Sequence, residues 1–225
     1  MRWLIALIAS GLAASPQAFT IYQHSDLGNA TVETRIIAQR SDGSHVAVKH
    51  MAGLGYDDRL LIQVAAGKQA RILDEVKAVS TQRIDMASYS KTQGGMWDPA
   101  SGGCTKPIVG TAEGGGTILE KDTIAGIAVN KLQMQPGFFV WMAPALNCQE
   151  MQSQLTGGAT LTTSSVVWGE PDTSLFSVPA DYAEMFPSAA LRLRLALMGK
   201  AQAGKVEQLV ANYQRLDAKY LANRP

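Results

Sequence analysis

The sequence predicts an α+β fold, mainly antiparallel β, in which a curved sheet or incomplete barrel is followed by C-terminal helices. Three observations favour it. Short runs of alternating apolar and polar residues recur at about ten-residue spacing, and turn residues lie between those runs. Near the end of the sequence, apolar residues recur at the spacing of one helical face. The chain has 225 residues, 46% of them hydrophobic and 17% charged. We therefore predict a signal peptide at 1–18, a β-rich domain at 19–187 and a helical extension at 188–225.

The first eighteen residues, MRWLIALIASGLAASPQA, have the pattern of a cleaved secretory signal. Arg2 precedes a short apolar run, and small residues then lead to Ala18. The alternative is a buried N-terminal helix. No other stretch approaches the roughly 20 apolar residues of a membrane helix, so we expect no transmembrane segment and a periplasmic or secreted location.

The cysteines agree with export, because the chain has two, Cys104 and Cys148. A pair in an oxidising compartment is most simply a disulfide, although two free buried thiols are the alternative. The three histidines, His24, His45 and His50, lack ligand spacing to these cysteines, so we expect no metal site.

The strands follow one another with turn signals between them. Ser41, Asp42 and Gly43 separate the first two runs and predict a hairpin. Sequential hairpins favour antiparallel pairing over parallel crossovers. The predicted segments are 31–40, 45–51, 59–64, 70–73, 76–85, 117–121, 128–133, 138–142, 150–155 and 160–168.

A glycine-rich segment and then helices complete the chain. Residues 90–116 hold eight glycines, which predicts a long loop that contains Cys104. Residues 191–197 (LRLRLAL) alternate like a strand, but their composition favours a helix, with Ser188 as its cap. Residues 205–223 place apolar side chains on one helical face, which must pack on something.

No motif for catalysis is present. The sequence lacks a G-x-S-x-G elbow and a phosphate-binding G-K-[ST] loop, so we predict no enzyme activity, no catalytic residue and no cofactor. Without the predicted signal, 19 basic residues balance 19 acidic ones, which does not indicate nucleic-acid binding.

The run Phe138–Met142 (FFVWM) is apolar at every position. Phe138, Val140 and Met142 fall on one face of a strand, and Phe139 and Trp141 fall on the other. Apolar residues on both faces imply burial on both sides. We predict that these five residues line a site for an apolar or amphipathic small molecule or lipid; a core strand without a cavity is the alternative.

Charge is uneven along the chain. Residues 188–225 carry seven Lys and Arg against Glu207 and Asp217, whereas residues 19–187 are net acidic. This asymmetry either joins the two parts or directs the basic end towards an acidic partner. An envelope protein bound through the sheet edge or the basic helices is therefore the second functional hypothesis.

The later half of the chain carries a resemblance. The segments EKDTIAGIAV (120–129), VWMAPALNC (140–148) and WGEPDTSLFSVPADYAEMFPS (168–188) resemble a group of uncharacterised exported bacterial proteins. The motif FSVPADY (176–182) is also similar to the closing motif of periplasmic proteins related to the lipoprotein carriers. That resemblance implies an incomplete antiparallel barrel around an apolar cavity, with helices as a lid, and it supplies no catalytic residues to transfer.

Overall fold

Twelve strands form one sheet in a computed structural model that describes residues 17–26, 32–52, 56–84, 104, 117–156, 158, 160–197 and 217. The predicted signal peptide lies almost entirely outside these residues, since the described chain begins at Gln17. The strands are β1 Phe19–Asp26, β2 Val32–Gln39, β3 His45–Ala52, β4 Tyr56–Gln63, β5 Lys68–Leu73, β6 Ala78–Arg83, β7 Thr117–Ile124, β8 Ile127–Gln135, β9 Phe138–Ala143, β10 Gln149–Leu155, β11 Thr160–Trp168 and β12 Ala183–Glu184.

Two antiparallel meanders build this sheet, and β1 joins them. Strands β2 to β6 form one meander and β7 to β11 form the other. β1 lies between β2 and β11 and is antiparallel to both. The sheet is open within the described residues, with β7 at one end and the short β12, parallel to β6, at the other.

The predicted antiparallel sheet is therefore confirmed, and so are its hairpins. Ser41–Ser44 form the turn between β2 and β3, where the Gly43 amide donates to the Arg40 carbonyl at 2.9 Å. Gly43 has a φ of 81°, a conformation that favours glycine. Strand β1 was not predicted, and neither was the two-residue β12.

One helix, α1 (Pro187–Leu197), follows the sheet. The LRLRLAL segment is thus helical, as its composition indicated, and Ala190 and Leu191 are buried. The predicted second helix lies outside the described residues except for Asp217, which is helical. No helix in the described part of the chain has the length and apolar character that a bilayer span requires.

The cap of α1 differs from the prediction. Ser188 lies inside the helix, and its backbone amide donates to Asp217 Oδ1 at 3.0 Å, while its hydroxyl donates to Asp217 Oδ2. The carboxylate thus satisfies one of the amide donors left open at a helix N-terminus and complements the positive end of the helix dipole. Asp217 therefore contacts the domain at Ser188.

The buried apolar side chains form three clusters. The central cluster draws on β1, β8, β9 and β10; the strap cluster draws on β2 to β6; and the disulfide cluster surrounds the cystine. Their members are Phe19, Ile21, Val129, Trp141, Ala143, Leu146 and Met151 (central), Ala38, Val46, Leu61, Ala70, Ile72, Val79 and Phe176 (strap), and Cys104, Leu132, Val140, Met142 and Cys148 (disulfide).

Cys104 and Cys148 form the predicted disulfide, 44 residues apart in sequence. Both cysteines are buried against β8 and β9. The bond therefore fastens Cys104, which lies far from any described neighbour in sequence, to the second meander.

We expect thiol titration of the denatured, unreduced protein to find no free thiol. Reduction should lower stability by up to about 4 kcal/mol, because the bond restricts the unfolded chain over this loop. Denaturant melts with and without reductant measure the difference. A Cys104→Ala, Cys148→Ala variant that melts like the oxidised protein would contradict this account.

Substituting Asp217 tests its contact with α1. Asp217→Ala should cost about 1 kcal/mol, the usual value of a helix cap, because the Ser188 amide loses its acceptor. Thermal melts measure the loss, and Asp122→Ala, an exposed strand carboxylate, serves as the control. Equal melting temperatures for Asp217→Ala and wild type would show that the contact contributes nothing.

Candidate functional site

The five residues predicted to line a ligand site all lie on β9, with their side chains on alternate faces. Val140 and Met142 belong to the disulfide cluster, and Phe138 packs against it. Trp141 belongs to the central cluster, and Phe139 packs against that cluster. The strand thus separates two clusters, and the cystine covers one of its two faces.

Trp141 combines burial with an open polar group. The residue is 5% exposed, and its indole Nε1 makes no hydrogen bond to any described residue. Lys131 Nζ lies 5.0 Å from the Trp141 ring centre and 5.4 Å from the Phe139 ring centre, within cation–π range. The same ammonium donates to Glu120 at 2.6 Å. β9 therefore presents two rings beneath the ion-paired Lys131 of β8, and one N–H donor, Trp141 Nε1, without a described partner.

The histidines do not converge. His45 and His50 lie on opposite faces of β3, as their spacing predicted, because β3 pairs without a register shift on both sides. Burial lowers the pKa of His45, whose Nδ1 lies 3.4 Å from the Gly43 carbonyl. His50 is exposed and pairs with Asp57. The described residues contain no group of three or more His, Cys, Asp or Glu placed to hold a metal ion.

A line of polar side chains crosses the first four strands on one face. Gln23 lies opposite Arg35, Arg35 lies opposite Lys49, and Lys49 lies opposite Asp58. We call these four residues the polar row. Opposed residues of an antiparallel pair share a face and have Cβ atoms about 5 Å apart, so the row is continuous.

Gln23 is buried at the start of the polar row, with 3% of its surface exposed. Its Nε2 donates to the Glu150 carbonyl at 2.6 Å and to Thr163 Oγ1 at 3.1 Å. Thr163 in turn donates to the carbonyl of Met151, a member of the central cluster. The Gln23 carbonyl oxygen, Oε1, is buried and accepts no hydrogen bond from the described part of the chain, which costs about 1–3 kcal/mol when nothing else supplies a donor.

Ion pairs hold the rest of the row in place. Arg35 Nε donates to Glu33, two residues away on the same face of β2. Arg71 on β5 binds both carboxylate oxygens of Asp58, at 2.6 and 2.7 Å. Asp58 is 5% exposed, and a buried carboxylate needs such a partner.

The face that carries the polar row changes character along the strand direction. On β1 this face reads Phe19, Ile21, Gln23, and on β2 it reads Ile37, Arg35. Ile21 and Phe19 are buried in the central cluster, and Ile37 packs against it. On this face β1 therefore changes from apolar to polar between Ile21 and Gln23, whereas β2 places Ile37 between the polar residues Gln39 and Arg35.

Sequence reasoning missed this face. Its residues come from segments far apart in the chain, and the register between strands decides which of them meet. The available signal was the interruption of apolar alternation by Gln23 on β1 and by Arg35 on β2, at positions where a core strand would carry an apolar residue.

A second charged cluster surrounds Arg59 on the opposite face of β4. Its Nη1 donates to the Ser177 carbonyl at 3.0 Å and to the Ser174 carbonyl at 3.3 Å, and its Nη2 contacts Asp74 Oδ1 at 3.0 Å. Tyr182 donates its hydroxyl to the same Asp74 oxygen at 2.7 Å. We call residues 173–184 the strap.

The Arg59 cluster has a structural role. It fastens the strap across the sheet, where Phe176 packs in the strap cluster and Leu175 and Tyr182 pack against it. The hydrogen bond to Asp74, followed by burial, raises the pKa of Tyr182 to about 12. We therefore assign the candidate site to the polar row and not to this cluster.

No protein-family model and no curated protein matches the chain. Among solved structures, an uncharacterised conserved protein from Thermus thermophilus is similar with a TM-score of 0.48 and 7% identity, over 76% of this chain and 90% of that one. PNGF-II gives a TM-score of 0.41 and 11% identity, over 88% of this chain and 33% of that one. MucB, in complex with MucA(peri), gives a TM-score of 0.36 and 14% identity, over 75% of this chain and 57% of that one. Similarities this distant assign neither family nor function.

Tyr182 provides a spectroscopic test of the strap. In an alkaline titration followed by tyrosinate absorbance, we expect one of the six tyrosines to ionise near pH 12 in the folded protein. Because the folded pKa exceeds the unfolded value, this group's contribution to stability is complete below about pH 10 and is lost as pH rises through the folded pKa. Tyr182→Phe should remove the late phase, whereas Tyr22→Phe, at an exposed strand position, should leave it. A late phase that survives Tyr182→Phe would refute the assignment.

Proposed function

We propose that this chain is an exported, non-catalytic binding protein that holds an apolar or amphipathic ligand against one face of its sheet. One observation carries the proposal: the face of β1 and β2 changes from Ile21 and Ile37 to Gln23 and Arg35 within two residues on each strand. Such a surface suits a ligand with an apolar chain and a polar head.

The binding free energy would come mainly from the apolar end. Each methylene removed from water contributes about 0.8 kcal/mol before the costs of association. The polar end would contribute specificity, because a ligand that leaves a buried polar group without a partner is disfavoured. The unpartnered Gln23 Oε1 and Trp141 Nε1 are groups that a suitable ligand would satisfy.

Export is the second part of the proposal. The Cys104–Cys148 disulfide supports a periplasmic or secreted location, since such bonds persist in oxidising compartments. The apolar N-terminal run of the sequence supports the same location.

An interaction module that acts through the sheet edge is the second candidate. β7 ends the described sheet, and Ile118 and Leu119 on this strand are 38% and 48% exposed. An extended peptide that added a strand there would gain main-chain hydrogen bonds and apolar contacts. This candidate places the partner far from the polar row in the strand order.

Ile36 and Ile37 provide a matched pair to test the binding face, since they are adjacent, half-buried and on opposite faces of β2. Native mass spectrometry of protein purified from its own envelope should show a non-covalent small-molecule adduct. Ile37→Asn should lower adduct occupancy at least fivefold, because it places a polar side chain opposite Ile21 on this face, whereas Ile36→Asn should retain it.

Two outcomes would count against this function. Wild-type protein without an adduct that also fails to bind an added single-chain amphiphile would contradict ligand binding. Equal loss of the adduct in both isoleucine variants, with both folded by circular dichroism, would show that this face of β2 is not the binding face. A protein partner retained by both variants would favour the β7 edge.

A further inference from the structure

We propose that the sheet face beneath the strap is a peptide-binding groove, which the chain's own strap occupies and which a partner protein takes by supplying a matching segment. The segment has Leu-Phe, four further residues and then Asp-Tyr, as the strap has at Leu175, Phe176, Asp181 and Tyr182. This inference goes beyond the proposed function, because Arg59 and the strap lie on the face of β4 opposite the polar row.

The floor of the groove is a largely apolar patch on β3 to β6. Phe176 is buried in this patch, and Leu175 and Tyr182 pack against it. Arg40 lies 5.5 Å from the centre of the Phe176 ring, within cation–π range. The groove therefore recognises an aromatic side chain at this position. Two rows of opposed residues build the floor: Val46, Leu61 and Ala70, and then Val48, Arg59, Ile72 and Val79.

Main-chain groups of the strap make many of its polar contacts with the sheet. Arg59 Nη1 donates to the Ser177 carbonyl at 3.0 Å and to the Ser174 carbonyl at 3.3 Å. β12, the last part of the strap, adds a parallel strand to β6, and the Ala183 amide donates to the Lys77 carbonyl at 2.8 Å. Strand addition is a common mode of peptide recognition, in which main-chain hydrogen bonds give affinity and side-chain contacts give specificity.

Two polar side chains of the groove complement the Asp-Tyr end of the segment. Lys77 Nζ donates to Asp181 Oδ2 at 2.8 Å, and Asp74 Oδ1 accepts from the Tyr182 hydroxyl at 2.7 Å. A cation thus faces the acidic residue, and an acceptor faces the phenol. Because Lys77 and Asp181 are both exposed, their ion pair contributes more to the choice and register of the segment than to affinity.

The strap is only lightly held, so it can leave while the sheet stays intact. Eight of its twelve residues are exposed, and Phe176 is its one buried residue. The ladders among β3 to β6 do not depend on it, since those strands pair with one another. Segments with few buried apolar contacts open at a lower free energy than the sheet that carries them.

The strap is also a competitor for the groove. A segment of the same chain acts at an effective concentration on the order of millimolar, so a partner meets an occupied groove in the wild-type protein. Weakening the strap should therefore strengthen the binding of a matching peptide.

Hydrogen exchange of the full chain tests whether the strap opens separately from the sheet. The Ala183 and Met185 amides donate to β6 carbonyls at 2.8 Å. After correction for intrinsic rates, these two amides should exchange at least a hundredfold faster than the hydrogen-bonded amides of β3 and β4, because they are freed whenever the strap opens. Equal protection of the strap and of these strands would show a single cooperative unit and overturn the proposal.

A fluorescein-labelled peptide that copies residues 170–186 measures recognition by the groove, with fluorescence anisotropy as the readout. The full chain with Phe176→Ala and Tyr182→Phe should bind this peptide at least tenfold more tightly than wild type, because its own strap competes less. Asp181→Ala, a milder change at an exposed strap position, should bind it at least threefold more tightly. Circular dichroism checks that each variant is folded.

Further changes locate the bound peptide. In the Phe176→Ala, Tyr182→Phe chain, Arg59→Met with Asp74→Asn leaves the net charge unchanged and should weaken peptide binding at least tenfold. Arg83→Gln, at an exposed position on β6, is the matched control and should leave the affinity unchanged. A second peptide that keeps Leu-Phe and Asp-Tyr at the same spacing, with Ser and Ala elsewhere, should bind within about threefold of the first.

Four outcomes would overturn this inference. Equal peptide affinity of wild type and both weakened-strap variants would show that the strap is a fixed part of the domain. Binding that survives the change of Arg59 and Asp74 would place the peptide elsewhere, and an equal loss in Arg83→Gln would show a general charge effect. No binding of the second peptide would refute the stated partner pattern. A dimer of the weakened-strap chain that increases with protein concentration would make a second copy the occupant instead of a partner protein.

Discussion

Pairing of β1 with both of its neighbours is the constraint on which the sheet depends. Its eight residues pair with β2 on one side and with β11 on the other, and the two meanders have no other shared ladder among the described strands. Without β1, each meander would present a long unpaired edge. Its side chains are equally central, since Phe19 and Ile21 help to build the central cluster and Gln23 begins the polar row.

The same strand accounts for the position of the candidate site. β1 is paired at both edges, and the side chains on one of its faces, from Phe19 to Ser25, are buried. Gln23 reaches Glu150 and Thr163 on the second meander while it lies opposite Arg35 on the first. The polar row is therefore anchored to both halves of the protein, although most of its charges belong to the first half.

Local structure could be predicted from the sequence, but the way in which β1 joins the two meanders could not. Hairpins such as β2–β3 and β4–β5 were predictable because alternation and turn residues act over a few residues. β1 escaped prediction because its apolar alternation ends after Ile21, where the strand turns polar for tertiary reasons. The alternating LRLRLAL segment shows the reverse case: its composition correctly indicated a helix although its period did not.

The candidate site shows the same difference between local patterns, which could be predicted, and contacts between distant segments, which could not. That residues 138–142 form a strand was predictable from their composition, but the cluster that each side chain joins depends on the disulfide and on Leu146 and Met151. The polar row was beyond prediction, because the register of four strands brings Gln23 and Arg35 opposite each other. A single polar residue in a strand carries little information until its cross-strand neighbours are known.

The place of β1 also determines the order in which the fold can be completed as the chain is made. β1 and β2 are adjacent in sequence and can pair early, but Phe19 finds its other partner only at Trp168. Contacts between residues so far apart in sequence form slowly, because a large loop must close first. Until β11 arrives, one edge of β1 remains open to pairing with other chains, so the incomplete chain carries an aggregation risk that the finished sheet does not.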